Sequence, residues 1–247
     1  MSKIKKLLDQ LQASHSYGFV MVFVVITILL AVALPEDSPW RLTLTVSQAI
    51  TAVLACWTSE APKRLFRVVL ILSVFGVLAA AGLITWGSSD SPGARALNVA
   101  GVLLIIGVII RGIGNDIRAQ GVRGRAVAGA LTVYLLFGTL CGFVYGLEAS
   151  LGSSAVFLGT AVDGSGDGTY ADHMYFSFVT LTTVGYGDLT PASGVARATA
   201  IFEALVGQLY LVGVVATLGG ALGRGKGTIK QELEPEASSS PPSKSSS

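Results

Sequence analysis

Long apolar runs separated by short polar connectors fill most of the chain. The runs cover 17–34, 40–58, 65–86, 96–113, 126–147 and 195–222. Each approaches the roughly 20 predominantly apolar residues that one membrane-crossing helix needs. A further semi-apolar stretch, 174–182, is too short to span. The pattern predicts an all-α membrane protein with six transmembrane helices and a re-entrant half-span between the fifth and the sixth.

Charge in the connectors orients these spans. Lys3, Lys5 and Lys6 precede the first; Lys63, Arg64 and Arg67 follow the second. Arg111, Arg118, Arg123 and Arg125 follow the fourth, and Arg224, Lys226 and Lys230 follow the sixth. The alternate connectors carry Glu36 and Asp37, then Asp90, then Glu148, Asp163, Asp167 and Asp172. Basic residues mark the cytoplasmic side, so both termini are expected in the cytoplasm, with the connection after 180 opening outward. A competing reading of the first run is a secretory signal, because Ala31-Val32-Ala33 offers small residues suited to cleavage. Cleavage would leave the later orientation unchanged, and five remaining spans would make an odd bundle, so a retained helix is the expectation.

The ends are polar. Residues 1–16 place Ile4, Leu7, Leu8 and Leu11 on one helical face beside lysines, the pattern of a short cytoplasmic interfacial helix, although a frayed tail fits as well. Residues 223–247 hold too few apolar side chains to bury a core and are expected as a disordered cytoplasmic tail. The stretch 146–169, rich in Gly, Ser and Asp, reads as a flexible outer loop.

Composition narrows the chemistry. Of the 247 residues 51% are apolar and 13% charged, against about 25% charged in soluble domains. A net charge of +2 gives no footing for nucleic acid. Cys56 and Cys141 both lie inside apolar runs and read as packing residues. The sequence has no Walker loop, no dinucleotide fingerprint and no His/Cys zinc cluster, so no cofactor is expected. His15 and His173 fall on opposite sides of the membrane by the charge rule and cannot share a site, which argues against an enzyme.

One stretch has no periodic pattern: TLTTVGYGDLTP, 180–191. Irregular backbone cannot face hydrocarbon, because each unpaired amide or carbonyl there costs several kcal/mol. The half-span before it aims the negative end of its dipole inward, which favours a cation. Gly185 and Gly187 flank Tyr186 and open dihedrals closed to other residues, so an extended run of carbonyls can turn to one side. Such carbonyls can replace the water around a desolvated ion. The expected partners of these backbone groups are ions.

With TTVGYGD preceded by YFSFVTL and followed by a long apolar helix, residues 126–222 resemble the pore module of potassium channels, over roughly two-fifths of the chain. The resemblance implies K⁺ as permeant ion, with sites formed by carbonyls of Thr183, Val184, Gly185 and Tyr186 and the Thr183 hydroxyl. Gly187 completes the motif, Thr182 supports it from below and Asp188 sits at the outer mouth. Tyr175 and Phe176 match the aromatic cuff that holds the filter tyrosine. Where the family often places a bracing glutamate in the pore helix, this chain has Val179. Gly207 matches the family's hinge glycine, though glycine in membrane helices also serves close packing. Gln208 lies on a stripe with Ala204, Leu211 and Val215 expected to face the cavity below the filter.

Glu203 is a carboxylate well inside a span, and such acids default to a functional reading. Two placements stand: behind the filter, bonded to Ser177 or Thr180, or in an acidic ring lining the cavity.

Six spans with one pore loop resemble the layout of voltage-gated channels. A sensor needs arginines every third residue through its fourth span, and 96–110 contains none. Residues 17–125 are therefore expected to keep a peripheral role without the sensor chemistry. One pore loop per chain implies a homotetramer in the lipid bilayer of a plasma membrane. The roughly 25 residues after the last span are too few for a soluble ligand-sensing domain. The resulting expectation is a K⁺-selective channel, not strongly voltage-gated. The rivals are a non-conducting regulatory subunit and a poorly selective cation channel, and the intact Gly-Tyr-Gly speaks against both.

Overall fold

In the computed structural model, residues 17–33, 38–59, 61–85, 91–120, 124–152, 154–159 and 166–232 are described. The expected interfacial segment, Glu36, Asp37, Asp90, Asp163 and residues 233–247 lie outside them.

Helices dominate. They are α1 (Gly18–Ala33), α2 (Ser38–Thr58), α3 (Lys63–Thr85), α4 (Pro92–Gln120), α5 (Gly124–Leu151), α6 (Tyr170–Leu181) and α7 (Gly194–Glu232). Two three-residue strands, β1 (Phe157–Gly159) and β2 (Leu189–Pro191), pair antiparallel with Leu158 opposite Thr190.

Four helices are long and apolar enough to cross a membrane, over Lys63–Gly82, Pro92–Arg118, Ala126–Leu151 and Gly194–Val214. The chain is a membrane protein. The apolar stretches of the first two helices, Gly18–Ala33 and Leu42–Thr58, are shorter: at 16 residues and 1.5 Å per residue, α1 reaches about 24 Å, against a hydrocarbon layer of about 30 Å.

One core ties the first helices to the later ones. Val20 and Val24 of α1, Ala55 and Cys56 of α2, Ile105 and Ile109 of α4 and Leu136 of α5 are all buried in one cluster. α1 thus lies against α5 and also touches α6. By contrast α3 leaves Ile71, Phe75 and Leu78 about two-thirds bare, at 66%, 65% and 66% exposure, as suits a helix whose solvent is lipid.

Two boundaries differ from the sequence reading. The last helix continues to Glu232, so residues 223–232 extend a helix rather than begin the tail. Once nucleated, a helix adds residues at little further cost. The described part of the connection 146–169, expected as a flexible loop, is also more ordered than its composition predicts. α5 runs to Leu151, and Val156 and Phe157 are buried at 0% and 1% exposure, which pins β1 beside β2.

Candidate functional site

α6 begins where its sequence supplies a cap. The Thr169 hydroxyl accepts from the Asp172 amide at 3.1 Å, and the Thr169 amide donates to the Asp172 carboxylate at 2.9 Å. This reciprocal capping box satisfies two amides that a helix start leaves over. Its buried side chains are His173, Met174, Phe176, Ser177 and Leu181.

That face lies on a row of glycines four residues apart in α5. A Cβ at Gly138 would stand 2.8 Å from Leu181 Cδ2, one at Gly142 2.6 Å from Met174 Cε, and one at Gly146 3.4 Å from His173 Nδ1. Missing side chains on α5 therefore let the two helices approach closely. The sequence carries the signal for this seat as Gly-x₃-Gly-x₃-Gly, which the reading of 126–147 as a plain span passed over. The Tyr134 hydroxyl of α5 adds a bond to the Leu181 carbonyl at 2.9 Å.

The chain then turns back on the helix end. Thr183 N donates to Thr180 O at 3.0 Å, and Val184 N and Gly185 N both donate to Val179 O at 2.9 and 3.3 Å. Thr183, Gly185 and Gly187 have φ of +59°, +56° and +81°, while Val184 and Tyr186 do not share the positive sign. The segment is thus not uniformly extended, as expected from sequence; φ alternates in sign residue by residue. A β-branched threonine in the left-handed region is strained by about 1–3 kcal/mol, and such strain gathers at functional sites. Among the described residues, no backbone amide donates to the carbonyls of Thr183 to Gly187. Val184 and Tyr186 are 50% and 72% exposed on this one protomer.

Tyr175 does two things at the far end of this loop. Its ring stacks on that of Tyr186, with centroids 6.4 Å apart and planes 5° from parallel. Its hydroxyl donates to the Asp188 carboxylate at 2.6 Å. That bond holds Asp188 below the usual carboxylate range. The Asp188 partner thus comes from Tyr175, while Val179, where the resemblance would place a brace, offers its carbonyl to the loop.

Phe176 corrects the sequence reading. It packs against Tyr145 at 5.2 Å and Phe157 at 4.8 Å between ring centroids, away from Tyr186. Consecutive helical residues are turned by about 100°, so only one member of the pair reaches the loop.

Thr182 ends α6, its hydroxyl bonded to Phe178 O at 2.6 Å. Glu203 is fully buried, at 0% exposure. Its Oε1 lies 2.5 Å from the Ser177 hydroxyl and its Oε2 accepts from the Tyr145 hydroxyl at 2.9 Å. Three helices, α5, α6 and α7, meet at this carboxyl group. Tyr145 was absent from the sequence reading, since nothing in its local pattern distinguishes it from an interfacial aromatic.

Gly207, one turn on, is buried against α6: a Cβ there would stand 2.4 Å from Leu181 Cδ1. This is close packing of α7 on α6, and α7 runs through the position without a break. Gln208 is exposed on the neighbouring face. Ser193 caps the start of α7, its hydroxyl accepting from Ala196 N at 2.8 Å and donating to Glu148.

Comparison with known proteins follows this geometry. Residues 129–224 match the ion channel family model. Over 52 residues the chain is 42% identical to a protein of Rhodopseudomonas palustris named as a proposed potassium channel protein. That match covers 20% of this chain and 13% of the relative's length. No solved structure matches the chain significantly.

Proposed function

Since residues 129–224 match the ion channel family model, we propose that the chain is one subunit of a potassium-selective channel. The observation that carries this reading is the orientation of hydrogen bonding around 183–187. The amides of Thr183, Val184 and Gly185 are spent on the end of α6, and the carbonyls that follow have no amide partner among the described residues. Carbonyls left over in a membrane need an electropositive partner, and a desolvated K⁺ supplies one. Alternating φ supports turning them to a common side, because only left-handed residues at every second place keep successive carbonyls from facing opposite ways.

The relative named as a proposed potassium channel protein supports the choice of ion. Thr183, Val184, Gly185 and Tyr186 would hold K⁺, with Gly187 completing the turn and Thr182, Tyr175, Asp188 and Glu203 fixing the frame. Phe176 supports from behind, through Tyr145. Gln208 would be the polar group facing the cavity. Four copies would close the ring of carbonyls around one axis. In this reading α1 to α5 and α7 are six spans, α6 is re-entrant, and both termini face the cytoplasm across a plasma membrane.

The testing experiment is K⁺ efflux from proteoliposomes loaded with K⁺. The purified chain should support efflux, and Gly185→Ala should abolish it, because a Cβ is strained at φ +56° although the space is open. Equal efflux from parent and variant would refute the role given to these carbonyls.

A further inference from the structure

The groups around Glu203 form a closed set in which protons can be counted. Glu203, Ser177 and Tyr145 are each at 0% exposure. The Ser177 oxygen lies 2.7 Å from the Gly138 carbonyl oxygen and 2.5 Å from Glu203 Oε1. Both are hydrogen-bond distances between oxygens, so each contact needs a proton. A carbonyl brings none, and a serine hydroxyl brings one. The Tyr145 proton is already committed to Glu203 Oε2, and the Cys141 thiol brings its own donor to the same carboxyl group, so neither fills the gap at Ser177. One proton is therefore missing, and Glu203 is the group that can supply it.

We propose that Glu203 is held as a neutral carboxylic acid that donates through Oε1 to Ser177. The Ser177 hydroxyl donates in turn to the Gly138 carbonyl, and the Tyr145 hydroxyl donates to Oε2. The chain of bonds then runs from α7 through α6 to α5 with every acceptor satisfied. The alternative, an ionised carboxylate, leaves two oxygens in contact without a proton. It also places a charge inside a membrane span with no cation paired to it among the described residues, which is expensive. The titratable groups facing Glu203 are Tyr134, Cys141 and Tyr145, all from α5, and from α6 it meets only the Ser177 hydroxyl. None of them is a cation.

This inference rests on reading α6 as the pore helix and gives that site a proton dependence. Neutral Glu203 leaves the Ser177 proton free for the Gly138 carbonyl; loss of the Glu203 proton at alkaline pH turns the Ser177 hydroxyl toward the carboxylate and opens the link from the pore helix to α5. Glu203→Gln mimics the neutral acid, since its amide NH₂ can donate to Ser177 and its carbonyl can accept from Tyr145.

The test is infrared difference spectroscopy of the reconstituted protein, parent minus Glu203→Gln, at neutral pH in H₂O and D₂O. The expected result is a protonated-carboxyl C=O band, shifted in D₂O, that is missing from the variant. Loss of a carboxylate stretching band instead would overturn the proposal. If the glutamine variant does not assemble, Ser177→Ala serves: the protonated band should persist and move to higher frequency, and its absence from parent and variant alike would overturn the idea. K⁺ efflux against pH adds the functional arm, expected to fall at alkaline pH in the parent and stay level in Glu203→Gln; a level parent profile would contradict the link. The infrared bands report the proton whether or not the protein conducts K⁺, so failure of the channel reading would show separately.

Discussion

Leu181 and Gly207 interlock. Leu181 Cδ1 lies 2.4 Å from the place a Cβ on Gly207 would take, and its Cδ2 lies 2.8 Å from the matching point on Gly138. The last side chain of α6 is thus gripped between α5 and α7, each having given up a side chain to admit it. Gly207→Ala should overpack this point and destabilise the assembly by about 1–3 kcal/mol, read as a lower unfolding temperature in detergent. Leu181→Ala combined with Gly207→Ala should recover part of that loss. If Gly207 serves as a hinge instead, the double variant will remain as impaired in conduction as Gly207→Ala alone.

Acid should act on the outer end through Tyr175 and Asp188. The Tyr175 hydroxyl depresses the Asp188 carboxyl below its ordinary value, and its own proton is secured, its pKa being pushed up to about 12 by the bond to Asp188. A depressed carboxylate stabilises the folded form above its unfolded pKa and loses that contribution as pH falls through the folded value. Conduction should therefore persist on outer acidification to below the ordinary aspartate pKa of about 3.9. In Tyr175→Phe the loss should begin at higher pH. Superimposable current–pH curves for the two proteins would contradict this.

Voltage should act weakly. Moving one charge through the membrane field is worth about 2.3 kcal/mol per 100 mV, and steep gating needs several such charges per subunit. Between Arg95 and Arg111, α4 carries no arginine. Arg95 is bonded to the Gly146 carbonyl at 2.5 Å, and Arg111 is exposed. Arg111→Gln should leave the conductance–voltage relation unchanged. A steep relation whose effective gating charge falls in that variant would reveal a sensor.

Assembly is predicted by what one protomer leaves uncovered. Ile201, Phe202, Leu205 and Leu209 of α7 are 62%, 58%, 59% and 72% exposed, and the same protomer leaves Val184 and Tyr186 bare. A four-fold ring would cover these side chains by packing one face of each chain against a different face of the next, in a head-to-tail interface that closes. The mass of the detergent-solubilised complex should correspond to four chains, and a monomer that retains conduction would rule this out.

The sequence was most legible where local pattern decides structure. The long apolar runs of α3 and α5 became helices within a few residues, and those of α4 and α7 became longer ones, because a 3.6-residue repeat and a lipid solvent leave little choice. The loop at 183–187 was recognisable from its residues, since positive φ at Gly185 and Gly187 calls for glycine. What stayed hidden depends on tertiary placement. Whether Phe176 faces Tyr186 or Tyr145 is a matter of helix rotation, which periodicity fixes only once the buried side is known. The meeting of Tyr145 with Glu203 joins residues 58 apart, and the seat made by Gly138, Gly142 and Gly146 shows its purpose only with α6 laid on it. The length of α7 was underestimated because composition, not backbone continuity, was taken to set its end.

The central claim concerns which ion the carbonyls of Thr183 to Tyr186 accept. The most direct measurement is the reversal potential of the purified protein in a planar bilayer with K⁺ on one side and Na⁺ on the other. The account predicts a reversal far from zero, toward the value set by K⁺ alone, with selectivity or current lost in Gly185→Ala. A reversal near zero in the parent protein, meaning equal passage of Na⁺ and K⁺, would contradict it.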